Sequence, residues 1–116
     1  MVVLEDLFAS VGLFPRGPVA WTLDLPDGGP GVYVLVRDGE VVYIGQTTRS
    51  LARRLQEFYR RQYGTQWPSR EEPDRLGRER PLWVYWALTD DPRRAAAEML
   101  RWFSRRFQQL PLGNRK

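Results

Sequence analysis

The side chains able to do chemistry in this chain are defined first by two absences. There is no histidine and no cysteine among the 116 residues, and the single lysine is the last residue, Lys116. Imidazole bases, Ser-His-Asp and Cys-His nucleophiles, imidazole metal ligands, disulfides, zinc fingers and iron–sulfur ligation are all excluded. Proton chemistry is left to carboxylates, tyrosines and metal-bound water. Arginine supplies the positive charge, since all but one of the 18 basic residues are arginine. Its rigid fork of donors matches the oxygens of a phosphate. The net charge is only +4, but it is unevenly spread. Residues 1–30 are acidic, and residues 31–116 carry a clear basic excess that is strongest after Asp91. That distribution points to a polyanionic partner, with nucleic acid first; no membrane partner is expected, because no run of 18 apolar residues exists.

The elements that must position these groups come from one small domain. A length of 116 residues with 42% hydrophobic and 28% charged residues suits a single packed core. No apolar run is long enough to span a bilayer, and no basic region precedes an apolar stretch at the N-terminus. The expectation is a cytoplasmic protein. Residues 3–9 carry apolar positions at helical spacing and predict a short helix. Four prolines and several glycines make 12–30 mostly loop, with a brief extended piece at Trp21–Leu25. Residues 1–30 thus read as an arm packed on a domain at 31–116.

The clearest local signal is the Asp38-Gly39 pair between GVYVLVR and VVYIGQT, which predicts a hairpin of strands at 31–37 and 41–47. Ser50 caps a helix running to Tyr63, where Gly64 ends it. Residues 64–80 form a loop, and PLWVYWALT a third strand. Asp91 and Pro92 then open a long helix to Gln109. The fold class is α+β, a three-stranded antiparallel sheet flanked by helices in the order β-β-α-β-α.

Within this frame three groups stand out. A two-residue turn pairs Tyr33 with Ile44 and Tyr43 with Val34, making the tyrosines diagonal neighbours able to share a site. They are equally explained as half-buried strand aromatics. Arg54 lies three residues after Leu51, at the edge of the buried helix face, where it either snorkels or meets a ligand. Glu98 is the only acid after Asp91 and shares its helix with five arginines. It reads as an ion-pair hub or a metal ligand. Trp83, Trp86 and Trp102 read as core, and Trp67 as a loop anchor or a base-stacking residue.

Gly31-Val32-Tyr33 and Tyr43-Ile44-Gly45, nine residues apart, resemble the paired signature of the GIY-YIG nucleases. The likeness continues through Arg54 before Leu55, then Glu98 in a later helix and Asn114 near the end, and so spans 31–114. It implies a metal-dependent endonuclease that hydrolyses phosphodiester bonds in DNA. Tyr33 would be the general base, Tyr43 its partner and Arg54 the phosphate clamp. Glu98 would hold one Mg²⁺ or Mn²⁺ ion as Lewis acid. Gly45, Gln46, Arg49, Arg53 and Asn114 would meet substrate. Arg60, Arg61, Arg101, Arg105 and Arg106 would extend a phosphate-tracking surface. The chain departs from the family at Phe58, where relatives often carry histidine or tyrosine, and at Gln46, where repair-type members have lysine. The alternative is therefore a weak or inactive nucleic-acid-binding module of the same fold. With no room for a separate DNA-binding domain, specificity would come from the arm, the 64–80 loop, a homodimer or a partner protein.

Overall fold

The structure, a computed structural model, describes residues 2–20, 28–55 and 83–115. The Trp21–Leu25 segment, the first domain helix beyond Leu55 with Phe58, Arg60 and Arg61, and the 64–80 loop with Trp67 lie outside the described residues. In chain order the elements are α1 (Val2–Ala9), β1 (Arg16–Ala20), β2 (Gly31–Arg37), β3 (Glu40–Thr47), α2 (described over 51–55), β4 (Trp83–Leu88), α3 (Pro92–Phe107) and a terminal 3₁₀ turn, Leu112–Asn114.

These elements form a small mixed α+β domain around a four-stranded antiparallel sheet in the order β1-β4-β2-β3. The sequence predicts three strands. The fourth, β1, is the segment read as loop because it contains Gly17 and Pro18. Proline is acceptable in a strand at the sheet edge, where one side of the backbone has no ladder to complete. β1 occupies such an edge, antiparallel to β4. Among the described residues no helix is long and apolar enough to cross a membrane.

Strand β2 is buried on both faces and separates two apolar clusters by its alternation of side chains. Val32, Val34 and Val36 point to one face, where they meet Leu4, Leu7 and Phe8 of α1 and Ala95, Ala96, Met99 and Phe103 of α3. Tyr33 and Leu35 point to the other, with Leu51 and Leu55 of α2 and Val84 and Trp86 of β4. The first thirty residues therefore contribute core side chains through α1 and a strand through β1. Trp86 is core, whereas Trp83 at the start of β4 is 44% exposed.

Helix α3 begins as its sequence dictates. The Asp91 side chain accepts from the Arg94 amide at 3.4 Å and Pro92 fills the first helical position. It ends two residues earlier than its apolar period suggests, because Gln108 takes a left-handed conformation and its amide donates to the Ser104 carbonyl.

Candidate nucleic-acid site

The β2–β3 hairpin turns at Asp38 and Gly39, both at positive φ, as a tight turn with a right-handed twist requires. From Arg37↔Glu40 and Val36↔Val41 the pairing follows the simple two-residue register. It then slips by one: Leu35 faces Tyr43, Val34 faces Ile44, and Tyr33 faces Gly45. Val42 is the extra residue of a β-bulge. The register expected from the turn alone, with Tyr33 opposite Ile44, is corrected here. Its consequence is large, because a one-residue slip moves every later side chain to the opposite face. Without the bulge Tyr43 would share a face with Val34, against α3. With it, Val42 and Tyr43 both join the cluster around Tyr33 and Leu35.

Tyr33 and Tyr43 consequently lie side by side, with ring centroids 6.0 Å apart and planes inclined at 36°. The Tyr33 ring crosses directly over Gly45. A β-carbon at position 45 would fall on the ring, with Cε2 at 2.8 Å and the hydroxyl at 2.5 Å. The two motif glycine–tyrosine pieces are thus one packing unit. The absent side chain of one is the bed of the other.

Arg54 comes from α2, whose start is fixed by the Ser50 side chain accepting from the Arg53 amide at 3.3 Å and by the Leu51 amide donating to the Gly29 carbonyl. With Leu51 and Leu55 buried in the Tyr33 cluster, Arg54 sits between core and solvent. It acts on both tyrosines. Burial pushes the Tyr33 hydroxyl well above its ordinary range and neighbouring Tyr43 adds to this, while the Arg54 cation opposes both. Tyr43 is raised for the same first reason, but Arg54 and the Tyr33 hydroxyl both pull it back. Tyr33 is fully buried, whereas Tyr43 is partly exposed. The pair therefore divides into an inner tyrosine that stays protonated and an outer one that is the more readily ionised.

Arg54 also lines a cleft with Gln46, Thr47, Thr48, Arg49, Ser50, Arg53 and Arg93, a lining that includes neither tyrosine. Four guanidinium groups face it, and no carboxylate does among the described residues. The Gln46 carbonyl oxygen is buried beside it with no hydrogen-bond partner among the described residues. Gln46, Arg49, Arg53 and Arg54 are brought together as their spacing suggests. Arg93 is the member that sequence reasoning missed. Its signal was present: it stands in the first turn of α3, which contains no acid, where the helix dipole disfavours a cation.

Two candidate residues lie elsewhere. Asn114 uses its whole amide on the outer edge of β3: Oδ1 accepts from the Ile44 amide and Nδ2 donates to the Ile44 carbonyl, each at 2.9 Å. It orients neither Glu98 nor a phosphate. Beside it, a β-carbon on Gly113 would meet the Val42 carbonyl at 2.8 Å and the Tyr43 ring at 3.0 Å. The terminal turn therefore clamps the bulge and holds Tyr43. Glu98 stands on the flank of α3 that faces Ser10, Val11, Thr89, Asp91 and Arg94. It pairs with Arg101 at 3.4 Å. The buried residues of α3 belong to the opposite sheet face from the tyrosines, and Arg93, not Glu98, reaches the cleft. Among the described residues no group of three or more acidic side chains could hold a metal ion. Asp91 is the other carboxylate lining the hollow at Glu98. Arg106 lies over the rings of Trp102 and Phe107, at 5.9 and 5.8 Å.

Comparison with protein-family models, curated proteins and solved structures finds no match.

Proposed function

We propose that this protein is an endonuclease of the GIY-YIG type, hydrolysing phosphodiester bonds in DNA. The observation that carries the reading is Arg54, which acts on Tyr33 and Tyr43 and also lines a cleft with Arg49, Arg53 and Arg93. The element order from β2 onward, β-β-α-β-α, agrees with it. So does the motif resemblance on Gly31-Val32-Tyr33, Tyr43-Ile44-Gly45 and Arg54. An enzyme of this kind would work in the cytoplasm, where DNA is accessible.

The chemistry requires a group to take a proton from water and a cation to meet the charge that builds on the phosphoryl oxygens. Arg54 is the cation, because it both lines the cleft and touches the ionisation of the tyrosines. The base assigned from sequence was Tyr33, but full burial argues for Tyr43, the outer and less strongly raised phenol. Tyr33 then positions Tyr43 through its hydroxyl and its packing on Gly45. The resemblance also implies a divalent ion at Glu98. Glu98 would hold that ion, which would supply Lewis acidity, and no step is routed through it because Glu98 is not among the residues lining the cleft.

The test is nicking of supercoiled plasmid with Mg²⁺ or Mn²⁺ supplied. Tyr43→Phe and Arg54→Gln should each lose about 100-fold or more in rate, the usual worth of a positioned proton-transfer group or charge. Tyr33→Phe should lose less, and the rate should climb with pH above neutrality. Full activity in Tyr43→Phe, or a rate that falls above neutral pH, would sink the assignment. Loss of cleavage in Glu98→Ala would show that this carboxylate serves the reaction after all.

A second reading is a nucleic-acid-binding module with little turnover. It is favoured by the raised ionisation of both tyrosines and by the position of Glu98. Salt-sensitive DNA binding without any metal-supported nick would select it.

A further inference from the structure

We infer that Arg93 and Arg49, outside the tyrosine cluster, form a second phosphate subsite that holds a neighbouring phosphate of the same nucleic-acid strand. This rests on the nucleic-acid reading above and extends it to a residue that no motif marks.

The argument is one of charge and position. Arg54 is the arginine that acts on Tyr33 and Tyr43, so a phosphate undergoing attack belongs to it. Arg49 and Arg93 line the same cleft, and two more cations exceed what a singly charged phosphodiester already met by Arg54 can balance. Nothing acidic lines the cleft among the described residues, and neither Arg49 nor Arg93 makes an ion pair with one of them. Arg93 also lies in the first turn of a 16-residue helix, at the end where the backbone dipole already supplies positive potential. Its neighbour Arg94 is equally basic; of the two acids just before the helix, Asp91 caps it and Asp90 does not line the cleft. A cation placed against its helix dipole and facing a cleft lined by further arginines is explained by an anion that relieves it. The lining also offers the hydroxyls of Thr47, Thr48 and Ser50, which suit phosphate oxygens.

The experiment is fluorescence anisotropy of labelled single-stranded and duplex DNA across a salt series. It compares the unmodified protein with Arg93→Gln, Arg93→Lys and Arg37→Gln. Arg93 is exposed, so the fold should be retained. Arg37 lies at the far end of β2, by the hairpin turn. Losing one phosphate contact should weaken binding about threefold to tenfold at low salt and reduce the salt slope by about 1. Arg93→Lys should keep the slope, since a point charge still displaces a counterion. Arg37→Gln should leave both unchanged. Inorganic pyrophosphate, with two linked phosphates, should compete better than orthophosphate for the unmodified protein and lose that advantage in Arg93→Gln. An unchanged slope in Arg93→Gln, or an equal loss in Arg37→Gln, overturns the subsite. Absence of DNA binding by the unmodified protein overturns the nucleic-acid reading instead, and does so whatever Arg93 does.

Discussion

The two faces of β2 are built from one run of seven residues, yet they do different things. On the α1/α3 face the strand presents Val32, Val34 and Val36 to leucines, alanines, Met99 and Phe103, with the partly buried Tyr85 and Trp102 packed against them. On the α2 face it presents Tyr33 and Leu35, and the neighbouring strand adds Tyr43. The first face is a core and its residues are interchangeable in kind. The second places two phenols where burial and Arg54 set their ionisation. A domain this small cannot spare a face for chemistry alone, so the site is also half of its core. Substitutions on the valine face should therefore change stability without changing affinity for DNA. On the tyrosine face the two should move together.

The largest expected effect breaks the first face. Met99→Ala removes a fully buried side chain and should cost about 2–5 kcal/mol of unfolding free energy, read by urea denaturation. DNA affinity per folded molecule should be retained. Loss of affinity in that variant would mean that the faces are not separable. Next is Gly45→Ala, where a new methyl meets the Tyr33 ring. Overpacking of this kind costs about 1–3 kcal/mol, and here it should also displace Tyr33 from Tyr43, so that stability and nicking fall together. Combining it with Tyr33→Leu should recover part of the stability but none of the activity.

A smaller effect follows from Asn114→Ala. Two hydrogen bonds to the Ile44 backbone disappear, each worth about 0.5–1.5 kcal/mol. Hydrogen exchange should quicken at Ile44 more than at Val34, because only the outer edge of β3 is uncovered. The smallest effect is on pH dependence. Tyr33 and Tyr43 ionise above the ordinary value of 10.0 when folded, so the native state keeps protons that the unfolded chain gives up. Stability contributed by these groups is fully present below pH 10 and declines as pH rises beyond it. Tyr33→Phe should flatten that decline, while Met99→Ala should leave its shape unchanged.

Much of the frame was legible because its signals are local. Asp38-Gly39 specifies a tight turn, Asp91-Pro92 a helix start, and the run GVYVLVR a strand. Ser50 was readable as the cap of α2, and Arg54 as a residue at the core edge. The bulge at Val42 was not legible. Nothing in Val41-Val42-Tyr43-Ile44 distinguishes a regular strand from a bulged one, and the slip is settled by which face fills better. β1 was hidden by Gly17 and Pro18, whose local preference for loop yields to the edge position that β4 offers. Trp83 was misplaced because it alternates correctly, while the sheet end leaves its face uncovered.

For the site, the sequence alone determined the available chemistry. Without histidine or cysteine, proton transfer is left to tyrosine, carboxylate or metal-bound water, and the cations that can meet an anion are almost all arginine. It also placed Tyr33, Tyr43 and Arg54 on adjoining elements. Which groups share a face was decided only by tertiary structure. A single bulge brought Tyr43 to Tyr33, and the packing of α3 brought Arg93 to the cleft while Glu98 lines a different hollow. The physical reason is that residue type fixes what a group can do, whereas a side chain's neighbours depend on register and helix rotation. Those are set by the packing of the whole core.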